Sequence, residues 1–465
     1  MNDNVLKTVV FSGGRGTKSI QQSLSGVSNT KTTYVINGYD SGLSTGEARR
    51  SIVGLLGPSD FRKTVVNIAL ASANSDAEAT AKVLDFRLPI DDYEALKIFN
   101  AIEDEKFLMR YLFDISPNIS LSVALEISER LATYRRHLVE TEAIDTFSPS
   151  DLAIGNAFIA GAFIENSDFQ IAIDAALNLI GLGDNVAILN ATQGEDLWLT
   201  AISESGLVCV EEGHFVTVPP PDPIRDLILI SREAYRSTRK DLGAWNKPTT
   251  EQLEMLSDKK SHPMCNKKVI SAISEADLII YGTGTLHSSL LPTYMTDGLA
   301  EVIASNRLAK KILMVNGIRD IDIHQSLKRE VALERTLRYL NGTEKFQDNE
   351  LLSEVWVTSR TWDEFSDGLS DVTEYKEFPV VELQGTYDSE FGASNSYMAI
   401  SSAMARTFGS RLAPSEFVTS IVIPVLNEVT KLESLFVEIE KYTYTGNGSL
   451  IEYIFVDGGS TDGSM

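Results

Sequence analysis

Two aspartates and three runs of glycine and hydroxyl residues are the parts of this sequence that could do chemistry. The runs are Ser12-Gly13-Gly14-Arg15-Gly16-Thr17, Tyr39-Asp40-Ser41-Gly42-Leu43-Ser44-Thr45-Gly46 and Gly282-Thr283-Gly284-Thr285. Small residues let a di- or triphosphate approach the backbone, where hydroxyls and N–H groups bind its oxygens. Asp40 and Asp60 are hard oxygen donors suited to a divalent cation such as Mg²⁺, and Arg49 and Arg62 can neutralise developing charge. Together these types point to phosphoryl chemistry. Asp40, Asp60 and Arg62 are the candidate catalytic groups, with Asp40 and Asp60 doubling as metal ligands. The ligand-binding candidates are Gly13, Gly14, Gly16 and Thr17 in the first run, and Ser44, Thr45, Gly46 and Arg49 in or after the second. Asn156, and Gly282, Gly284, Thr285 and His287 around the third run, complete the set. Plainer roles stand beside these: Asp60, in Pro58-Ser59-Asp60, could only cap a helix, and Asp40 could only order its own loop.

Such a set works only if strands deliver the loops to one edge. Val9–Phe11 reads as a buried strand, and Ile20 and Leu24 share one face of the helix after the first loop. Thr32–Asn37 is a second strand and runs into the second loop. Asp277–Tyr281, nearly all apolar, reads as a strand of a parallel sheet and ends in the third loop. Residues 61–73 have helical spacing. Strands are also expected at 186–191, 197–203, 311–316 and 352–358, with an extended edge segment at 377–384. Helices are expected at 151–164, 168–181, 267–276, 296–307, 320–340 and 394–407. His214–Pro223 reads as a connector, and 225–265 show no clear order. The pattern predicts an α/β fold, a Rossmann-like parallel sheet with helices on both faces that binds its ligand at the carboxyl edge. Residues 75–150 interrupt it as a helical insert with charge on one face and Leu, Ile and Phe on the other. One acidic face of that insert could meet a second subunit, as in a homodimer.

Composition sets the bounds. The net charge is −24, from 65 acidic and 41 basic residues, a field that opposes binding to nucleic acid or an anionic membrane. The longest mostly apolar run, Leu152–Ile164, is too short to span a bilayer. Two distant cysteines, with no basic region followed by a long apolar core at the N-terminus, fit a reducing cytoplasm.

Near Ala413-Pro414 the pattern restarts. Phe417–Leu426 and Glu452–Val456 read as strands around a helix near 429–443, the second followed by Asp457-Gly458-Gly459-Ser460-Thr461-Asp462-Gly463. A βαβ start of this size is too small for its own core. The expectation is a nucleotide-binding domain over 1–412 and the incomplete start of a further α/β domain over 413–465.

Five motifs in order carry a resemblance. SGGRGT, YDSGLSTGEARR, PSDFR, IGNAF and ADLIIYGTGTLHSSLLP are similar to the motifs of the CofD/YvcK superfamily, the 2-phospho-L-lactate transferases and their nucleotide-sugar-binding bacterial relatives. The resemblance implies a phosphorylated-nucleotide site. It implies Mg²⁺-assisted transfer of a phospholactyl-type group to a hydroxyl acceptor or, as an alternative, a nucleotide-sugar-binding regulator without turnover. Ser41 stands where the family has a second aspartate, and Leu43 where it has a glycine, so the site is implied more firmly than the turnover. IVIPVLNE and EYIFVDGGSTDGS resemble the opening of a family 2 glycosyltransferase, which links both readings to glycosylation or cell-envelope metabolism.

Overall fold

The structure is a computed structural model. It describes residues 5–358 apart from 28, 318, 328–330 and 343–344, and beyond them 374–375, 378–383, 397–408, 419–425, 431–432 and 451–457. From the N-terminus the strands are β1 (Leu6–Phe11), β2 (Thr30–Ile36), β3 (Val186–Asn190), β4 (Leu197–Ser203), β5 (Val208–Cys209), β6 (Ile224–Ser231) and β7 (Lys260–Ser261). They continue with β8 (Leu278–Tyr281), β9 (Lys310–Met314), β10 (Glu354–Thr358), β11 (Glu374–Tyr375) and β12 (Phe378–Leu383).

Seven of these strands form a parallel sheet in the order β12-β10-β9-β8-β1-β2-β3, and β11 adds antiparallel outside β12. Flanked by helices, this is the expected Rossmann-like architecture. β1 lies between β2 and β8, in register Thr8↔Thr32 and Thr8↔Leu278. Chain order therefore reverses between β1 and β8, and a crevice opens beyond the carboxyl ends of strands at such a point. Position explains composition. β8 is buried at every residue and β1 at all but Lys7, because central strands are covered on both faces. At the opposite edge the Gln170 side chain donates to Ile188 O (2.8 Å) and accepts from Asn190 N (3.0 Å), so a side-chain amide lies along the open backbone of β3.

The first helices are α1 (Lys18–Ser25), α2 (Leu43–Ser51) and α3 (Ser59–Ala71). The insert follows as α4 (Ser75–Asp85), α5 (Asp92–Ala101), α6 (Glu105–Ile115) and α7 (Leu121–Glu140), and the chain returns through α8 (Ile154–Asn166) and α9 (Phe169–Asn178). The insert helices start at Asn74, Asp91, Asp104 and Ser120, whose side chains accept first-turn N–H groups. Each such cap contributes about 1 kcal/mol. The chain enters and leaves through one neck, where Leu88 N donates to Leu152 O and Ile154 N to Phe86 O, both at 2.9 Å.

The strand expected at 197–203 is β4, and residues 197–261 build a second sheet, antiparallel, in the order β5-β4-β6-β7, which gives elements to the unassigned stretch 225–265. Two expectations are corrected. The expected connector contains a helical turn, α10 (Glu212–Phe215). The helix expected over 320–340 is confined to Val331–Leu340, and 321–326 form turns and a bend.

Near the C-terminus β13 (Thr419–Val425) and β14 (Ile451–Asp457) pair in parallel as a separate two-stranded sheet. The helix expected near 429–443 and the loop after Asp457 lie outside the described residues, save 431–432. Among the described residues no helix is long and apolar enough to cross a membrane.

Candidate functional site

The three glycine loops converge at the switch point. The first leaves β1 and the third leaves β8, and they pack backbone against backbone. A Cβ on Gly13 would come within 2.7 Å of Gly284 Cα, and one on Gly16 within 2.7 Å of Gly284 N. Thr283 donates its hydroxyl to Gly16 O. These glycines thus serve loop-to-loop contact. Gly14 differs: at φ +68° its open side faces Asp60, whose Oδ1 would lie 2.4 Å from a Cβ there. Thr17 is fully buried and shapes the loop, bonding Ser12 Oγ (2.7 Å) and donating to Gly14 O (2.9 Å).

The second loop leaves β2. Asp40, half-buried, accepts from Gly42 N at 3.0 Å in an Asx turn. Ser41 N donates to Glu212 Oε2 at 3.1 Å, so α10 of the second sheet reaches into the loop. Ser44 donates to Asp151 O at 3.2 Å. Thr45 is buried, and Gly46 packs its Cα against Ser41 O inside the first turn of α2.

Asp60, in the first turn of α3, is buried, and its Oδ1 accepts from Lys63 Nζ at 2.9 Å. Burial alone would raise its carboxyl, but the Lys63 charge, with a hydrogen bond from Ser289, holds it below the ordinary range. Burial raises the Asp40 carboxyl, and the Asp60 charge adds to this. Glu212 is raised furthest, by burial and then by Asp40, and the side chains of Glu212 and Asp40 are hydrogen-bonded.

The two arginines sit differently. Arg49 is fully buried. It donates to Leu197 O (2.6 Å), Tyr39 O (3.1 Å), Asp40 O (3.3 Å) and Leu55 O (3.4 Å), pairs with Asp196 (3.5 Å), and lies 4.2 Å over the Trp198 ring. It pins the second loop to β4. Arg62 donates from Nε to Asn156 Oδ1 at 3.0 Å and pairs with Asp85 of the insert. His287 is buried with its Nδ1 3.3 Å from Asp322. Thr285 precedes the turn that contains His287, and its carbonyl accepts from Ser289 N at 2.9 Å. Gly282 N donates to Phe11 O at 3.0 Å, tying the third loop to β1.

Several buried polar atoms have no hydrogen-bond partner among the described residues: Ser41 Oγ, Asn156 Nδ2 and His287 Nε2, while His287 Nδ1 faces the Asp322 carboxylate. Buried groups in this state call for a partner. Among the described residues no three His, Cys, Asp or Glu side chains are grouped to hold a metal by themselves. Mg²⁺ typically uses one or two carboxylates, with water and substrate phosphate completing its octahedron. Asp40 and Asp60, near enough for one charge to act on the other, fit that mode. Glu212 and Lys63 are the members the sequence reading missed. Lys63 stood in view beside Arg62, three residues after Asp60.

The family model described as 2-phospho-L-lactate transferase CofD matches residues 8–365. The chain is 22% identical over 369 residues to the uncharacterized protein YNL011C of Saccharomyces cerevisiae, a match covering 68% of this chain and 79% of that protein. Two crystal structures of protein BH3568 from Bacillus halodurans, one described as a member of the UPF0052 family, are similar with TM-scores of 0.55 and 0.53. Each is 15% identical and covers 86% of this chain and 99% of its own. At that identity the likeness is one of fold.

Proposed function

The chain belongs to the CofD family, and on that premise we propose that it transfers a phospholactyl-type group from a nucleotide-activated donor to a hydroxyl acceptor. One observation carries the reading: the Asp40 and Asp60 carboxylates flank the glycine loops at the switch point of the sheet. The donor's phosphates would lie along those loops, meeting the N–H groups at the start of α1. Mg²⁺, held by Asp40 and Asp60 together with phosphate oxygens, would supply charge neutralisation at the reacting phosphorus. The acceptor hydroxyl attacks that phosphorus, the bond to the leaving nucleoside monophosphate breaks, and the hydroxyl proton passes to one of the two aspartates. The chain's own contribution is then positioning and fixed charge.

A second reading is favoured by the state of the arginines. Arg49 and Arg62 are both engaged by protein partners, which leaves less positive charge for a transferring group. On this reading the same crevice holds a nucleotide sugar and reports its level without turnover. The parallel pair β13–β14 carries the IVIPV and EYIFVD motifs. We read it as the opening of a family 2 glycosyltransferase domain, which would tie either function to sugar-nucleotide metabolism.

Calorimetry with GDP, GTP, UDP and UDP-N-acetylglucosamine, each with and without Mg²⁺, tests these readings. Mg²⁺-dependent binding of a guanine nucleotide supports the transferase. Preference for the uridine sugar nucleotide, with no product formed, supports the regulator. Binding of none overturns both.

A further inference from the structure

Arg49 is locked to backbone carbonyls and to Trp198, and Arg62 to Asn156 and Asp85. Lys63 is placed otherwise. It follows Asp60 by three residues on α3, so the two side chains rise on the same face of the helix. Its stem crosses the open side of Gly14, where a Cβ would lie 3.0 Å from Lys63 Cδ. Its ammonium reaches Asp60 Oδ1 at 2.9 Å, and 21% of the side chain remains exposed while the Asp60 side chain is only 4% exposed. The Lys63 charge is also felt at Asp40. A lysine ammonium has three donors, and Asp60 takes one. We propose that Lys63 is the phosphate-contacting cation of this site, held by Asp60 over the first glycine loop so that its remaining N–H donors meet the oxygens of a nucleoside diphosphate.

The assignment rests on the nucleotide reading above and adds a named residue to it. The positive φ of Gly14 has a matching purpose: a side chain there would collide with both Asp60 and Lys63. In a chain of net charge −24, Asp60 fixes the Lys63 ammonium in place at this edge, and the ammonium offsets the repulsion the buried carboxylate would otherwise exert on an anion.

The test uses the full chain and five probes: GDP, UDP, inorganic pyrophosphate, guanosine and uridine. Lys63→Met removes the charge. Lys63→Gln removes the charge but keeps a donor for Asp60, which guards against misfolding. Lys63→Arg restores the charge. A hydrogen bond to a charged group corresponds to roughly ten- to a hundredfold in affinity. Both neutral variants are therefore expected to bind the preferred diphosphate, and pyrophosphate, about tenfold or more weakly than wild type. Binding of the matching nucleoside is unchanged, and Lys63→Arg recovers most of the loss. The salt dependence of diphosphate binding also falls in the neutral variants, which a purely structural role would not cause. If wild type binds a diphosphate and Lys63→Gln binds it equally well, the assignment of Lys63 is overturned and the nucleotide reading stands. If wild type binds none of the phosphorylated probes, the nucleotide reading falls and the assignment with it.

Discussion

Gly13 and Gly284 meet Cα to Cα: a methyl group on Gly13 would stand 2.7 Å from Gly284 Cα, and one on Gly284 would stand 2.5 Å from Gly13 Cα. Two loops from adjacent parallel strands close on each other there, and neither backbone has a flexible side chain that could yield. Gly13→Ala and Gly284→Ala are each expected to destabilise the fold by about 1–3 kcal/mol, the range for overpacking. The double variant should cost less than the sum, because one shift of the loops relieves both collisions. Urea unfolding midpoints at constant slope would measure this, and strict additivity would contradict it.

Arg49 predicts a separation of stability from binding. Arg49→Met strands several buried carbonyls and removes the stack on Trp198, with an expected cost of about 3–5 kcal/mol. Arg49→Lys keeps the charge but loses the planar fork, and should fall between wild type and Met. In the lysine variant the folded fraction should bind nucleotide with wild-type affinity. A selective loss of affinity with unchanged melting temperature would instead make Arg49 a ligand residue.

Asp40→Asn leaves an amide oxygen to accept from Gly42 N, so the Asx turn survives. For the transferase reading the rate should drop by roughly a hundredfold or more, as for a lost general base, while nucleotide affinity changes by only a few-fold. Product formation set beside calorimetry separates the two quantities.

The carboxylates give stability a pH signature in metal-free protein. The folded-state value of Glu212 lies above its ordinary 4.5, so its contribution is complete below that value and is lost as pH rises through the folded value. Asp60 runs the other way. Its folded value lies below the ordinary 3.8, so its contribution is present above 3.8 and is lost as pH falls through the folded value. Glu212→Gln, which can still accept from Ser41 N and donate to Asp40, should lose less stability than wild type as pH rises. Asp60→Asn should lose less than wild type as pH falls. Melting curves across the acid and neutral range report both slopes.

The glycine loops, Asp40 and Asp60 are legible in the sequence because strand, small-residue turn and helix are neighbours along the chain. The sheet is legible for the same reason: DLIIY carries its burial in its composition. Glu212 is not, because Glu211-Glu212-Gly213-His214 precedes three prolines and resembles solvated connector. Its bond to Ser41 spans 171 positions and exists only because the second sheet docks on the loop. Arg49 next to Arg50 likewise reads as a surface or ligand cation. Its burial is decided by Leu197 and Trp198, on a strand whose antiparallel partners share no local signal with it.

Gln170 bears on the company the protein keeps with its own copies. An open β-strand edge is a template on which another chain can add, and long bare edges invite aggregation. By bonding Ile188 O and Asn190 N, the Gln170 amide occupies the two groups an incoming strand would need first. At the far side the outermost strand among the described residues is the two-residue β11, short for a template. Among the described residues, one border of the large parallel sheet is thus covered by a single side chain and the other is formed by a very short strand.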